Sequence, residues 1–153
     1  MNRNANLARR ELLASLPHLR RYAEVLVGRT SEADRLVAET LERAPWQSPP
    51  ATVRTAARAR LFALMHELYA GHAAVSAGDP TTAHWDAAGA PSLPQRASAL
   101  LAQFGALPTE EREVLLLVAV EGMRYEEIAE LLRVPVSTVM ARLKRARDFM
   151  RTA

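Results

Sequence analysis

The chain has 153 residues, of which 49% are hydrophobic and 24% charged, and its net charge is +3 at pH 7. This length accommodates one domain or two small ones. Cysteine is absent, which excludes disulfide bonds and cysteine-ligated zinc, and the four histidines lack metal-ligand spacing. No apolar run reaches the roughly 18 residues of a membrane span, and the first residues lack an apolar signal core. We therefore expect a cytoplasmic protein without membrane insertion.

The N-terminal half is predicted to begin with a long amphipathic helix over about residues 4–27. Its apolar residues recur every three or four positions, which is the period of one helix face, and the alternation typical of strands is absent. Pro17 lies inside this stretch and predicts a kink or a restart of the helix. Gly28 is expected to end it. The pattern favours an all-α fold.

Two more helices are predicted in the N-terminal half. Ser31, followed three residues later by Asp34, resembles a capping box that opens a helix over about 31–44. The next helix covers about 52–70, with Gly71 as its C-cap. We interpret Ser31 and Asp34 as a helix cap and not as a catalytic pair.

A linker is predicted between two small helical domains. Residues 76–95 contain no lysine or arginine, three prolines and two glycines, a composition that disfavours regular structure. We therefore assign 1–74 to an N-terminal domain, 75–95 to the linker and 96–153 to a C-terminal domain.

The C-terminal domain is predicted to contain four helices. Their approximate bounds are 95–104, 109–120, 125–133 and 136–150. Thr109 is a suitable N-cap for the second of them, because three glutamates follow it in the first turn, where acids favour the helix dipole.

Residues 125–147 have the pattern of a helix-turn-helix. A short acidic amphipathic helix is followed by a Pro-containing turn and a basic amphipathic helix. The second helix has one apolar stripe, made of Val136, Val139, Leu143, Ala146 and Met150. Away from the stripe lie Arg142, Lys144, Arg145 and Arg147. One face can pack on a core while the others meet phosphates and base edges, so the chain is predicted to bind DNA.

The charges of the C-terminal half are distributed unevenly. Residues 139–153 hold five basic residues and one acid, whereas residues 108–130 hold seven acids and two arginines. A basic helix beside an acidic partner is typical of a recognition helix, although a solvated charged helix would have the same composition.

Two arginines are the leading candidates for contacts with bases. Arg142 and Arg145 lie three residues apart and share a helix face, so one could reach a guanine edge while the other holds a phosphate. Contact of both with phosphates alone is the alternative. Met140 could touch a thymine methyl or have a neutral packing role.

The segment LPTEEREVLLLVAVEGMRYEEIAELLRVPVSTVMARLKRAR (107–147) resembles the fourth conserved region of bacterial RNA polymerase sigma factors of the extracytoplasmic-function (ECF) group. The segment LPHLRRYAEVLVGRTSEADRLVAETLERAPW (16–46) is similar to the second conserved region of that group, a helix pair followed by a short tail containing Trp46. The resemblance covers nearly the whole chain and gives the right order of domains.

This resemblance implies a division of labour between the domains. The first domain would bind the β′ clamp helices of core RNA polymerase and open the minus-ten promoter element, and the second would read the minus-thirty-five element near the β flap. An anti-sigma factor is the other implied partner. The positions that match the clamp-contacting segment are Asp34, Arg35, Leu36, Ala38 and Glu39. Those that match the promoter-reading helix and its phosphate-binding N-terminus are Ser137, Thr138, Met140, Ala141, Arg142, Lys144, Arg145 and Arg147.

The chain departs from the family pattern in the N-terminal half. Arg35 stands where the family has an acid and Ala38 where it has a glutamine, which alters the charge offered to the clamp. The third helix lacks the expected Trp and the basic run used in melting. The candidates that remain for contacts with the minus-ten strand are Arg54, Arg58, Arg60, Phe62 and Tyr69.

Three hypotheses therefore stay open. The first is a divergent, working ECF sigma factor that directs transcription from particular promoters. The second is a sigma-like protein that does not melt DNA and acts as a decoy for an anti-sigma factor, as sigma-mimic domains of stress-response regulators do, or holds polymerase without initiating. The third is an unrelated regulator with a similar helix-turn-helix. The sequence has no nucleophile, metal cluster or Gly-rich phosphate loop, so no enzyme activity, cofactor or small-molecule substrate is expected.

Overall fold

The computed structural model describes residues 3–44, 54–75 and 95–152, and the side chains of 10–44, 58–74 and 95–152. Within these ranges the chain forms seven α-helices and no strand, which confirms the all-α prediction. The helices are α1 (Arg3–Val27), α2 (Thr30–Arg43), α3 (Arg54–Val75), α4 (Gln95–Ala106), α5 (Thr109–Ala119), α6 (Tyr125–Leu132) and α7 (Val136–Thr152).

Helix α1 is continuous through Pro17, so of the two predicted outcomes, a kink or a restart, the restart does not occur. Proline removes one backbone donor, and the carbonyl of Leu13 four residues earlier loses its helical partner. Both residues are exposed, so water can bond to that carbonyl and the cost of the missing bond is small. Gly28 ends α1 as predicted: its φ is 73°, and its N–H donates to the carbonyl of Glu24 at 2.8 Å.

Two predicted helix caps are wrong by one or two residues. Helix α2 begins at Thr30 with Arg29 at the N-cap, and no side chain caps it. Ser31 therefore lies inside the first turn, where its hydroxyl has no capping role. Helix α5 likewise begins at Thr109, with Pro108 at the N-cap. In both cases a neighbouring residue takes the extended backbone that the cap position requires.

The predicted C-cap at Gly71 is also wrong, because α3 continues to Val75. The space around Gly71 is open, and a glycine that is not held in a left-handed conformation does not have to end a helix. The C-terminal half resumes at Gln95 with α4. The rest of the predicted linker, 75–95, lies outside the described residues, as does Trp46.

The turn between α6 and α7 contains an arginine in the left-handed conformation. Arg133 has φ 53° and ψ 43°, and the N–H of Val134 donates to the carbonyl of Ala129 at 3.1 Å. This is the helix ending that glycine usually provides. An L side chain there costs about 1 kcal/mol. Arg133 also pairs with Glu67 on α3, an exposed ion pair that contributes little.

Replacing Arg133 by glycine is expected to stabilise the protein by about 0.5–1 kcal/mol, because the relief of backbone strain exceeds the loss of an exposed ion pair. Arg133→Ala is the matched control, since it removes the same ion pair and keeps the strain. Urea denaturation of the three proteins measures the difference. A glycine variant no more stable than the alanine variant would show that the left-handed turn carries no strain.

The two halves of the chain pack against each other around one apolar core. Helix α1 contacts α5, and α3 contacts α6. Fully buried side chains of the N-terminal half, such as Tyr22 and Phe62, and of the C-terminal half, such as Val114 and Leu117, belong to the same cluster. The described N-terminal helices and the helix-turn-helix therefore form a single closed unit.

Candidate DNA- and polymerase-binding surfaces

Helix α7 buries the apolar stripe predicted from the sequence. Val139, Leu143 and Ala146 are almost completely enclosed, and Val136 packs beside them. The spacing of three and four residues places these side chains on one face, which packs on α5 and α6. This contact fixes the rotation of α7 and determines which side chains it presents outward.

The outward face of α7 is polar and basic. Met140 is 53% exposed, and the side chains of Arg145 and Lys144 are 59% and 79% exposed. Ser137, Ala141 and Arg147 are exposed as well, and Thr138 is half-buried. Met140 lines a groove of about 520 Å³ with Lys144 and Arg147. The surface thus offers apolar atoms next to cations.

At the N-terminus of α7, one backbone amide already has a partner within the protein. The N–H of Thr138 donates to the carbonyl of Pro135 at 2.9 Å. Pro135 precedes the helix and turns its carbonyl onto the first turn, which satisfies a donor that a phosphate would otherwise meet.

Two arginines of α7 are held by glutamates of the first turn of α5. Arg142 Nη2 lies 2.8 Å from Glu110 Oε2, with the arginine side chain 14% exposed and the glutamate 65% exposed. Arg145 Nε donates to Glu111 Oε1 at 2.8 Å, and here the exposures are reversed, 59% for the arginine and 11% for the glutamate. The two pairs therefore have opposite arrangements: one buries the cation and the other buries the anion.

Glu121 forms the centre of a polar cluster at the contact between the halves. Its side chain is fully buried. His18 Nδ1 lies 2.7 Å from one carboxylate oxygen, and Arg21 donates to the other at 3.1 Å. Arg58 Nη1 lies 3.5 Å from Glu121 Oε2, the oxygen that His18 contacts. A carboxylate removed from water needs such partners, and all three come from α1 and α3.

Glu113 forms a second buried polar cluster at the same contact. The hydroxyl of Tyr22 donates to its carboxylate, and His66 Nδ1 lies 2.8 Å from the same oxygen. Burial, together with the charge of Glu113 and the hydrogen bond to it, raises the pKa of Tyr22 well above its usual value. Tyr22 therefore remains a neutral donor to the carboxylate.

The pKa of His66 is raised above 6.5. Burial is the largest single influence and lowers this pKa, as does the charge of Arg142. The hydrogen bond to Glu113 and the charges of Glu113 and Glu67 together raise it by more. Protonated His66 therefore stabilises the folded protein below pH 6.5, and this contribution is lost as the pH rises through the raised pKa.

As the pH rises above about 6.5, we expect the free energy of unfolding to fall more steeply in the wild type than in His66→Gln. Glutamine can still donate to Glu113 but does not titrate. Urea denaturation at several pH values gives the comparison, and an NMR titration of the His66 ring reports its pKa directly. Parallel pH profiles for the two proteins would contradict the assignment.

Neither cluster was predicted from the sequence. The glutamates in the first turn of α5, among them Glu113, were predicted only to favour the helix dipole, and the histidines were predicted only to lack metal-ligand spacing. One signal was present: Glu113 lies three and four residues before Leu116 and Leu117, on the apolar face of α5. A charge on a buried face requires a partner, but the partner's position could not be read from the pattern.

Comparisons with known proteins find a family match for each half of the chain. Residues 97–150 match the family described as sigma-70, region 4, and residues 12–66 match the sigma2 domain of PhyR. The chain is 32% identical over 148 residues to the ECF RNA polymerase sigma factor EcfG of Rhodopseudomonas palustris (strain TIE-1), covering 92% of this chain and 81% of the relative. The chain belongs to the ECF sigma factor family. This family consists of transcription regulators that are not enzymes.

Solved structures show the same fold. The sigma factor RpoE of Bartonella quintana, in a complex with the anti-sigma factor NepR, superposes with a TM-score of 0.72 at 24% identity over 94% of each chain. The anti-anti-sigma factor PhyR of the same organism, also in a complex with NepR, has a TM-score of 0.56 at 23% identity over 92% of this chain and 48% of its own.

The segment predicted to contact the polymerase clamp lies on α2 and is mostly exposed. Arg35 and Ala38 face solvent, and Asp34 pairs with Arg20 of α1 at 3.3 Å. Glu39 pairs with Arg43 at 3.0 Å and with His72 of α3 at 3.2 Å. Leu36 is only 3% exposed and packs in the core, so it can support this surface but does not present its side chain there.

The residues proposed for minus-ten contacts have different environments. Phe62 is fully buried, with its ring centroid 4.8 Å from that of Tyr22, so no base can stack on it in this arrangement. Tyr69 is half-buried and Arg58 belongs to the Glu121 cluster. Arg60 is exposed. The side chain of Arg54 lies outside the described residues.

No described helix is long and apolar enough to cross a membrane. In the described ranges, no group of three potential metal ligands comes together.

Proposed function

We propose that this ECF sigma factor binds core RNA polymerase and directs transcription initiation from a restricted set of promoters. The observation that carries the proposal is the orientation of α7, which buries Val139, Leu143 and Ala146 and presents a basic face outward. This is the arrangement by which a helix-turn-helix inserts its second helix into the major groove. The family relationship supports the minus-thirty-five element as the DNA that this helix would bind.

The N-terminal half is proposed to bind the β′ clamp helices through α2. Asp34, Arg35 and Ala38 are exposed and Glu39 is half-buried, which gives α2 a charged outer face. Leu36 anchors that helix in the core. Charged helix faces set the choice of partner and the rate of association more than the final affinity. The β flap is the proposed contact of the C-terminal half.

Promoter engagement requires the two halves to separate. The minus-ten and minus-thirty-five elements are about 25 base pairs apart, or roughly 85 Å along B-DNA. A compact chain of this length has a radius of gyration of only about 15 Å. The closed unit is therefore too small to occupy both elements, and we infer that the contact built around Glu113 and Glu121 opens on the polymerase.

An anti-sigma factor is the proposed regulatory partner. Both solved structures described above are complexes with the anti-sigma factor NepR. The likeness of this chain to RpoE over 94% of its length supports a partner that binds the same fold. Such a partner would compete with polymerase by holding the sigma factor in a form that cannot reach both promoter elements.

Two observations favour a second function. Residues 12–66 match the sigma2 domain of PhyR, and PhyR is an anti-anti-sigma factor. Phe62, the aromatic candidate on α3 for strand separation, is enclosed in the core. A decoy would bind an anti-sigma factor and would not need to melt DNA.

Run-off transcription with purified core polymerase and a library of genomic promoter fragments distinguishes the two functions. Defined transcripts, with permanganate-reactive thymines near minus ten, are expected for a working sigma factor. Tight binding to core polymerase without an open complex on any fragment would indicate a protein that holds polymerase without initiating. Absence of core binding, combined with tight binding to an anti-sigma factor, would indicate the decoy.

A further inference from the structure

We propose that Arg145 is the guanidinium of α7 that reads a promoter base and that Glu111 is the residue that positions it. The inference rests on the proposed promoter-reading role of α7 and goes beyond it by separating two arginines that the sequence pattern makes equivalent. It also gives a defined role to an acidic residue of α5.

The Arg145–Glu111 pair has the geometry of a supported reader. The carboxylate of Glu111 is enclosed, at 11% exposure, and Arg145 Nε donates to it at 2.8 Å while the arginine side chain stays 59% exposed. An enclosed carboxylate has little freedom to move, so it fixes the direction of the guanidinium above it. Arginine otherwise loses considerable rotamer entropy on binding.

The atoms used in this pair leave the base-reading edge available. The bond to Glu111 engages the Nε–H. The terminal edge of the guanidinium still has two parallel N–H groups, one on each Nη, and guanine presents two acceptors, O6 and N7, at matching spacing in the major groove. Glu111 can thus hold Arg145 through its Nε–H while the terminal edge of the guanidinium meets a guanine.

Arg142 has the opposite arrangement. Its side chain is 14% exposed, and one terminal nitrogen, Nη2, is engaged by Glu110. Glu110 is itself 65% exposed, so a negative charge stands on the surface where base acceptors would arrive. Both pairs join α5 to α7 within the C-terminal half, so the difference persists when the two halves separate. Arg142 is therefore assigned to packing and phosphate contact.

The test uses the complete chain in holoenzyme with core polymerase. A minus-thirty-five duplex is first selected from a randomised library by the wild-type holoenzyme. Each guanine of the selected element is then replaced by 7-deazaguanine, which lacks the N7 acceptor, and affinities are measured for the wild type and for Arg145→Ala, Arg142→Ala, Glu111→Ala, Glu111→Gln and Glu110→Ala. Binding of each variant to core polymerase is measured separately as a folding control.

At one guanine, the wild type is expected to lose about 5- to 150-fold in affinity on removal of N7. Arg145→Ala should be insensitive to the same replacement, and Glu111→Ala should show a reduced penalty at unchanged core binding. Glu111→Gln retains an acceptor for Nε–H and should restore much of the penalty. Arg142→Ala and the matched control Glu110→Ala should keep the full wild-type penalty.

Other results would overturn the inference. A wild-type penalty that survives in Arg145→Ala, or that disappears in Arg142→Ala, would transfer the reading role away from Arg145. Equal penalties in Glu111→Ala and the wild type would show that Glu111 does not position it. A selected element with no guanine sensitive to the analogue also contradicts the inference while leaving the sigma-factor function intact. Enrichment of no sequence at all by the wild-type holoenzyme would contradict both.

Discussion

Replacing Glu121 by lysine is expected to separate the two halves of the free protein. The carboxylate is fully buried and accepts from His18 and Arg21, with Arg58 beside them. Lysine at this position would remove every one of these attractions and place a third permanent cation beside Arg21 and Arg58. The closed arrangement then loses its polar contact and gains repulsion, so the open form becomes dominant.

The size of the effect follows from the exposure of the partners. Removing one member of a fully buried ion pair costs roughly 3–5 kcal/mol. Arg21 and Arg58 are 42% and 30% exposed, so water can solvate them again and the cost of Glu121→Gln is reduced to about 2 kcal/mol. This corresponds to about a 30-fold weaker closure, and the lysine variant should exceed it.

Small-angle scattering of the free protein measures this opening. The radius of gyration should increase from Glu121→Gln to Glu121→Lys, and the apparent affinity for core polymerase should rise by up to the factor by which closure is weakened. Glu130→Gln, an exposed glutamate of α6, is the matched control and should leave both quantities unchanged. A lysine variant as compact as the wild type would show that the apolar contact alone holds the halves together.

The orientation of α7 could be predicted from the sequence because it depends on local spacing. Val139, Leu143 and Ala146 repeat at three and four residues, and any core that buries one of them must bury all three. The end of α1 at Gly28 was also predictable, because glycine is the residue type that most readily adopts the left-handed backbone.

The contact between the halves could not be predicted, because it depends on residues distant in sequence. His18 and Glu121 are 103 residues apart, and Tyr22 and Glu113 are 91 apart. A linker composition indicates that a segment lacks regular structure, but it does not state whether the flanking domains touch. The misplaced caps have a more local cause: Ser31 and Thr109 favour the N-cap by type, yet the extended backbone falls on Arg29 and Pro108.

The separation of Arg142 from Arg145 illustrates the same limit at a finer scale. Both lie on one helix face, and periodicity makes them equivalent. The difference comes from α5, where Glu110 is exposed and Glu111 is enclosed. One residue of helical rotation is enough to reverse which member of each ion pair faces the solvent.

Replacing Phe62 by alanine is expected to destabilise the protein by about 3–5 kcal/mol, the usual cost of deleting a buried aromatic ring. Phe62 has no exposed surface, and its ring packs against Tyr22, which also donates to Glu113. The cavity would therefore loosen the core and the polar cluster together. Urea denaturation of the free protein measures the loss.

Phe62→Leu separates packing from contact with DNA. Leucine preserves most of the apolar volume and should cost about 1 kcal/mol. Because Phe62 and Tyr22 both belong to the N-terminal half, their packing persists when the halves separate, and the Phe62→Leu holoenzyme should form open complexes at the wild-type rate. Arg60→Ala, an exposed neighbour on α3, should change stability by less than about 0.5 kcal/mol and reduce open-complex formation if that face of α3 meets the minus-ten strand. A stable leucine variant that binds core polymerase but fails to melt promoters would return the stacking role to the ring of Phe62, which would then have to leave the core on the polymerase.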